Sequence, residues 1–216
     1  MKRQHFTLIE LLVVIGLITI LAGILIPAVN GALKKADETK AKAQITTLLN
    51  AIKQFEATYG YLPTPNSYYG SGSYYEGTVI GGTKEDTTDN TYDDLIRVLQ
   101  AEYTGSGNPN TRRQQFLDVV DVPGTYLDPW GYRYKIAFDE IPGSDHTKSP
   151  DGHIANSEFS SSNPLLDGFN FPAGSNNVYQ TVVIWSKGAS LSNNKDNVYS
   201  FPVKWNKSGE YYEFAK

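Results

Sequence analysis

The chain has 216 residues, of which 40% are hydrophobic, 12% aromatic and 19% charged, a globular composition and neither a disordered nor a fibrous one. Its formal charge of −4, from 19 basic and 23 acidic residues, supplies no basic field for a phosphate backbone, so nucleic acid is excluded as a first partner. The absence of cysteine excludes disulfide frameworks, thiolate metal sites, thiol nucleophiles and iron–sulfur clusters together.

The first element is an uncharged run of 19 residues, 11–29 (LLVVIGLITILAGILIPAV). That is close to the ~20 residues a helix needs to cross a hydrocarbon core of ~30 Å. A secretory signal has a shorter apolar region, ~7 to 15 residues, ending at a cleavage site of small residues. Here the run passes directly into helical sequence, so it reads as a membrane segment. Lys2 and Arg3 precede it and Lys34 and Lys35 follow it, and this balance leaves orientation open. Glu10 lies inside the apolar sequence. An ionised carboxylate at mid-membrane costs roughly 2.5 to 3.5 kcal/mol, so such an acid marks a functional site and requires a cationic partner.

The string Phe6-Thr7-Leu8-Ile9-Glu10-Leu11-Leu12-Val13-Val14 resembles the processing and methylation motif of type IV pilins and type II secretion pseudopilins. The resemblance implies that a prepilin peptidase cuts between His5 and Phe6, removing a leader of residues 1–5, and methylates Phe6. It further implies a bacterial inner-membrane subunit with a cytoplasmic amino terminus and a periplasmic domain beyond about Asn30. The implied partners are copies of the chain itself in a homopolymer, the membrane, an inner-membrane assembly platform and minor pseudopilins. The family usually has Gly or Ala before the cut, where this chain has His5. Cleavage would create an α-ammonium at Phe6, four residues from Glu10, and a neighbouring subunit's terminus is the expected partner of that acid. Loss of Lys2 and Arg3 takes the formal charge from −4 to −6.

Residues 31–44 are rich in strong helix formers, and Ile45, Leu48, Leu49, Ile52, Phe55 and Tyr59 then recur at helical spacing. This stripe calls for a sheet to cover it, and Gly60, Pro63 and Pro65 supply the stop. A helix of about fifty residues is too long for a soluble core element. It therefore divides into a membrane or fibre-core part, 6–30, and an amphipathic continuation, 31–60. Pro27 removes a backbone donor, and with Gly16 and Gly23 nearby a kink or local melting is expected there. In the pilin-like family a proline at a similar place is associated with helix rearrangement in the filament.

Residues 66–90 are rich in Gly, Ser, Thr and Tyr and read as a long surface loop, without the spacing of a phosphate cradle. A short helix is expected over 92–102, with Asp93 and Asp94 in its first turn and Leu95, Val98 and Leu99 buried. Strands are expected at 132–138, 178–185, 198–205 and 210–214, with a second long insertion at 139–177 and a turn at 206–209. The fold class is α+β: a long N-terminal helix packed on a small antiparallel sheet, the whole of 61–216 forming one domain with insertions.

The segment Leu127-Asp128-Pro129-Trp130-Gly131-Tyr132-Arg133-Tyr134 resembles the Asp-Pro-Trp-Gly motif of major pseudopilins of type II secretion. Pro129 fixes φ, Gly131 permits positive φ, and the turn feeds a strand while burying Trp130. Residues 185–201 are similar to the family's carboxy-terminal loop, which binds calcium. Asp196 is the only carboxylate there, beside Asn193, Asn194 and Asn197, whereas calcium takes six to eight oxygens. Calcium at Asp196 is thus the one cofactor expectation, with weak binding or none. No nucleophile elbow or zinc-protease motif is present, and His146 and His153 read as surface-loop histidines, so no enzyme is expected. The expected function is that of a pseudopilus subunit like the major pseudopilin. The alternatives are a type IV pilin or minor pseudopilin, or a single-pass anchored binding module that forms no fibre.

Overall fold

The computed structural model describes residues 8–63, 79–82, 90–120, 122–138, 154–155, 177–178, 180–189, 196–206 and 211–214. It divides into two units, Met1–Thr39 and Lys40–Lys216. The chain is α+β, as expected, and one helix, α1 (Leu8–Tyr59, 52 residues), contributes to both units.

Over residues 11–29 of the first unit the helix is apolar on every side, and Leu12, Leu17 and Ile24 are all exposed. It runs through Gly16, Gly23 and Pro27 as one helix, so the local melting expected at Pro27 is not seen. The carbonyl that loses its donor to Pro27 is that of Gly23, four residues back. Threonine hydroxyls along α1 bond back to carbonyls four residues earlier, as Thr19 does to Ile15 at 2.7 Å.

In the second unit the helix becomes one-sided. Ala41, Ile45, Leu48, Ala51, Ile52 and Phe55 are buried while Lys42, Lys53 and Gln54 stay exposed. Gly60, at φ +78°, ends the helix, its amide donating to the Glu56 carbonyl at 2.7 Å. The buried stripe joins one core with α2 (Asn90–Leu99) and with strands β2 (Lys135–Phe138) and β5 (Val182–Ser186).

The main sheet is four-stranded and antiparallel, in the order β1 (Val79–Ile80), β2, β5, β6 (Val198–Tyr199). Its register pairs Ile136 with Ile184 and Phe138 with Val182, and these four side chains face the helix core. Ala137, Val183 and Trp185, on the other face, are equally inaccessible. The sheet is therefore buried on both faces at its centre, which explains why β5 reads as an unbroken apolar run.

Several expected boundaries shift. Within the expected loop 66–90, Val79–Ile80 forms an edge strand on β2, released by Gly81 and Gly82, both at positive φ. A Cβ at Gly81 would fall 2.0 Å from the Tyr134 carbonyl oxygen, so this close approach requires glycine. The expected strand 198–205 divides. Ser200 still bonds to Ile184, through its amide and its hydroxyl, and Pro202, which has no donor, lies between β6 and β7 (Val203–Asn206). β7 pairs instead with β8 (Tyr211–Phe214) in a separate two-stranded sheet. Val178 belongs to β4 (Asn177–Val178), which pairs with β3 (Ile154–Ala155), a strand within the expected insertion. The expected turn residues 207–209 lie outside the described residues.

α2 ends three residues earlier than expected. The Glu102 amide donates to the Arg97 carbonyl at 2.8 Å and the Ala101 amide to Val98 at 3.2 Å, a Schellman closure that forces Ala101 to φ +62°. Ala101→Gly should accordingly stabilise the domain by about 0.5–1 kcal/mol, read as a raised denaturation midpoint. An unchanged or lowered midpoint would show that this residue carries no strain.

Candidate functional site

Two regions carry the candidate residues. The first is the exposed apolar part of α1. Glu10 lies in its first turn and is exposed, whereas His5 and Phe6 lie outside the described residues, so their geometry is not part of the site. The helix is long and apolar enough to cross a membrane, and none of its most apolar stretch is buried against the rest of the chain. Water is a poor solvent for such a surface, and exposed patches of this extent mark membrane or protein interfaces.

The second region is the turn at Asp128. Asp128, Pro129, Trp130 and Gly131 form a β-turn closed by the Gly131 amide on the Asp128 carbonyl at 3.1 Å, with Gly131 at φ +82°. The buried Asp128 carboxylate holds the turn from inside. Its Oδ1 accepts from the amides of Trp130 at 3.0 Å and Tyr132 at 2.9 Å. Its Oδ2 accepts from the Ser186 hydroxyl at 2.5 Å, and the Ser186 Oγ in turn accepts from the Gly188 amide at 3.0 Å. Burial raises the Asp128 carboxyl above its ordinary range, and these hydrogen bonds offset part of the rise. Trp130 is half-buried against the core, a more exposed position than the sequence suggested.

Gln44 ties this turn to α1. Its Nε2 donates to the Leu127 carbonyl at 3.1 Å, its Oε1 accepts from the Tyr134 hydroxyl at 2.9 Å, and its own carbonyl accepts from Tyr126 at 3.0 Å. Burial pushes the Tyr126 phenol up to about 12 and raises those of Tyr134 and Tyr92, so all three remain neutral donors at physiological pH. Arg133, next to Tyr134, makes a two-point ion pair with Asp93 at 2.8 and 3.0 Å. The adjacent acids at 93 and 94 thus give no acid/base pair, because Asp93 anchors α2 to the turn.

Sequence reasoning missed Gln44, and a polar residue in a run of helix formers gives no signal. It also missed Asn110, a buried amide that donates to the carbonyls of Val98 and Gln114 at 2.8 and 2.7 Å. Its oxygen accepts from the Tyr59 hydroxyl at 2.7 Å and the Gln114 amide at 3.0 Å. These bonds fold the 104–116 loop onto the end of α1.

Asp196 backs onto Gly188, where a Cβ would fall 2.1 Å from the Asp196 carbonyl oxygen. Among the described residues no three His, Asp or Glu side chains converge as a metal site. Residues 190–195, like His146 and His153, lie outside the described residues.

The fold and site together define an α+β domain on a helix that continues as an apolar segment of membrane length. Comparison with known proteins gives this class its context. The chain is 38% identical over 65 residues to type II secretion system core protein G of Escherichia coli (strain K12), covering 30% of this chain and 45% of that one. It is 36% identical over 63 residues to the core protein G of Aeromonas hydrophila and to that of Vibrio cholerae serotype O1. Those matches cover 29% of this chain and 44% and 43% of the relatives. The chain thus spans less than half the length of the curated relatives it matches, and the similarity supports the resemblance to the pseudopilin family. No family model and no solved structure matches it.

Proposed function

We propose that the chain is a membrane-anchored structural subunit that assembles through α1 into a pseudopilus, in the manner of the major pseudopilin of type II secretion. The observation that supports this reading most is the change of character along α1. One helix passes from a stretch exposed and apolar on every side to a stripe buried in a folded domain. The first part needs lipid or other copies of itself, and the second positions the domain that such a core would carry. In this reading Glu10 registers each incoming subunit against the Phe6 terminus of its neighbour. The amino terminus is cytoplasmic, the domain is periplasmic, and the prepilin peptidase, assembly platform and minor pseudopilins are the remaining partners. The role is assembly, with no catalytic step.

Intact mass and amino-terminal sequencing of the protein from its native membrane test the reading directly. A chain beginning at N-methylated Phe6 is expected, and a chain retaining Met1 or Lys2 would sink it. Calcium has no step in this mechanism. With Asp196 as the single carboxylate, 1 mM calcium should move Tm by no more than about 2 °C. A larger rise that Asp196→Asn removes would establish a calcium site.

A further inference from the structure

We propose that Lys34 and Lys35, on α1 just beyond the apolar stretch, form a docking surface for the phosphate headgroups of anionic phospholipids; this rests on the membrane reading of α1. Residues 30–33 carry no charge, and Leu33 is 59% exposed, so the apolar surface runs up to the two lysines. Lys34 lies five residue steps beyond Val29, which is about 7.5 Å of helix at 1.5 Å per residue. The headgroup layer of a bilayer extends roughly 5 to 8 Å beyond each face of the hydrocarbon core. Lysine stems lie along apolar surface with the ammonium directed to the polar layer, so both charges reach the phosphates.

Charge complementarity selects this occupant. Both lysines are exposed, and the Lys35 side chain is 72% accessible. Its ion pair with Glu38 at 3.1 Å lies at the surface, where such pairs contribute little and yield to a stronger anion. The chain as a whole is acidic, at −4, and an anionic bilayer repels such a body. Lys34 and Lys35 are the first charges beyond the apolar stretch and precede Asp37 and Glu38, so the charge nearest the bilayer is positive.

Each lysine near an anionic surface contributes about a fivefold preference at low ionic strength. The test uses the full-length chain. Flotation with phosphatidylcholine vesicles first establishes insertion. Native mass spectrometry in detergent, with equal phosphatidylglycerol and phosphatidylcholine, then reads the retained lipid. Wild type should retain phosphatidylglycerol by at least about fivefold. The Lys34→Gln/Lys35→Gln double variant should fall at least about fivefold below wild type, Lys2 and Arg3 at the other end of the apolar run holding the remainder, whereas Lys53→Gln, with its exposed lysine far along the helix, should behave as wild type. Parity in the wild type, or a preference undiminished in the double variant, overturns the proposal. Failure of the wild type to float overturns the membrane reading and this surface with it.

Discussion

Glu10→Val is expected to abolish fibre formation while leaving the subunit in the membrane. Valine removes the only acid from the apolar segment, so insertion becomes easier. On the proposed reading, assembly loses the partner of the Phe6 ammonium. Removing one member of a buried ion pair costs about 3–5 kcal/mol because the other charge is left uncompensated. Per contact that is a two- to four-decade loss of affinity, and a polymer repeats it at every subunit. Electron microscopy of sheared fibres, with membrane fractionation of the same cells, separates the two effects. Fibres of wild-type length from Glu10→Val would remove this acid from the assembly mechanism.

The second large effect belongs to Asp128. Asp128→Ala leaves the amides of Trp130 and Tyr132 and the hydroxyl of Ser186 without their acceptor, next to a buried turn. Three orphaned donors should cost about 3 kcal/mol or more in the free energy of unfolding. Asp128→Asn keeps an oxygen for the two amides and offers its amide to Ser186, so most of that loss should be recovered. The pH dependence has a definite sign. Burial raises the folded carboxyl above its ordinary value of 3.8, so the folded state keeps the proton to higher pH than the unfolded chain does. The corresponding stability is complete below that ordinary value and is lost as pH rises through the raised one. Asp128→Asn, neutral throughout, should therefore gain stability relative to wild type on going from acid to neutral pH. Urea midpoints across this range check the sign, and a relative loss would show that hydrogen bonding outweighs burial at Asp128.

The fold class was legible because its signals are long or local. The apolar run, the stripe from Ile45 to Tyr59 and the Asp-Pro-Trp-Gly turn each lie within a few dozen consecutive residues. The misplaced boundaries arise where pairing is decided at a distance. Val79–Ile80 is too short to announce itself as a strand and exists because β2 offers it an edge. The division at Pro202 sends one stretch of aromatic and β-branched sequence into two sheets, and only the partners of each half distinguish them. In the site, Asp128 was legible through its turn chemistry. Its bond to Ser186 and the grip of Gln44 were not, since they join residues 58 and 83 positions apart.

The placement of β5 at the centre of the sheet also sets an order of events during synthesis. The part of α1 that bears the buried stripe emerges early, yet the strands that cover it follow roughly a hundred residues later, and such remote closure slows folding. Until then the stripe from Ile45 to Phe55 has only α2 of its core partners and stays partly exposed to proteases and to chaperones that hold unfolded chains. Truncation before Val182 removes β5, one of the two central strands, so shortened products should be cleared rather than accumulate as defective subunits.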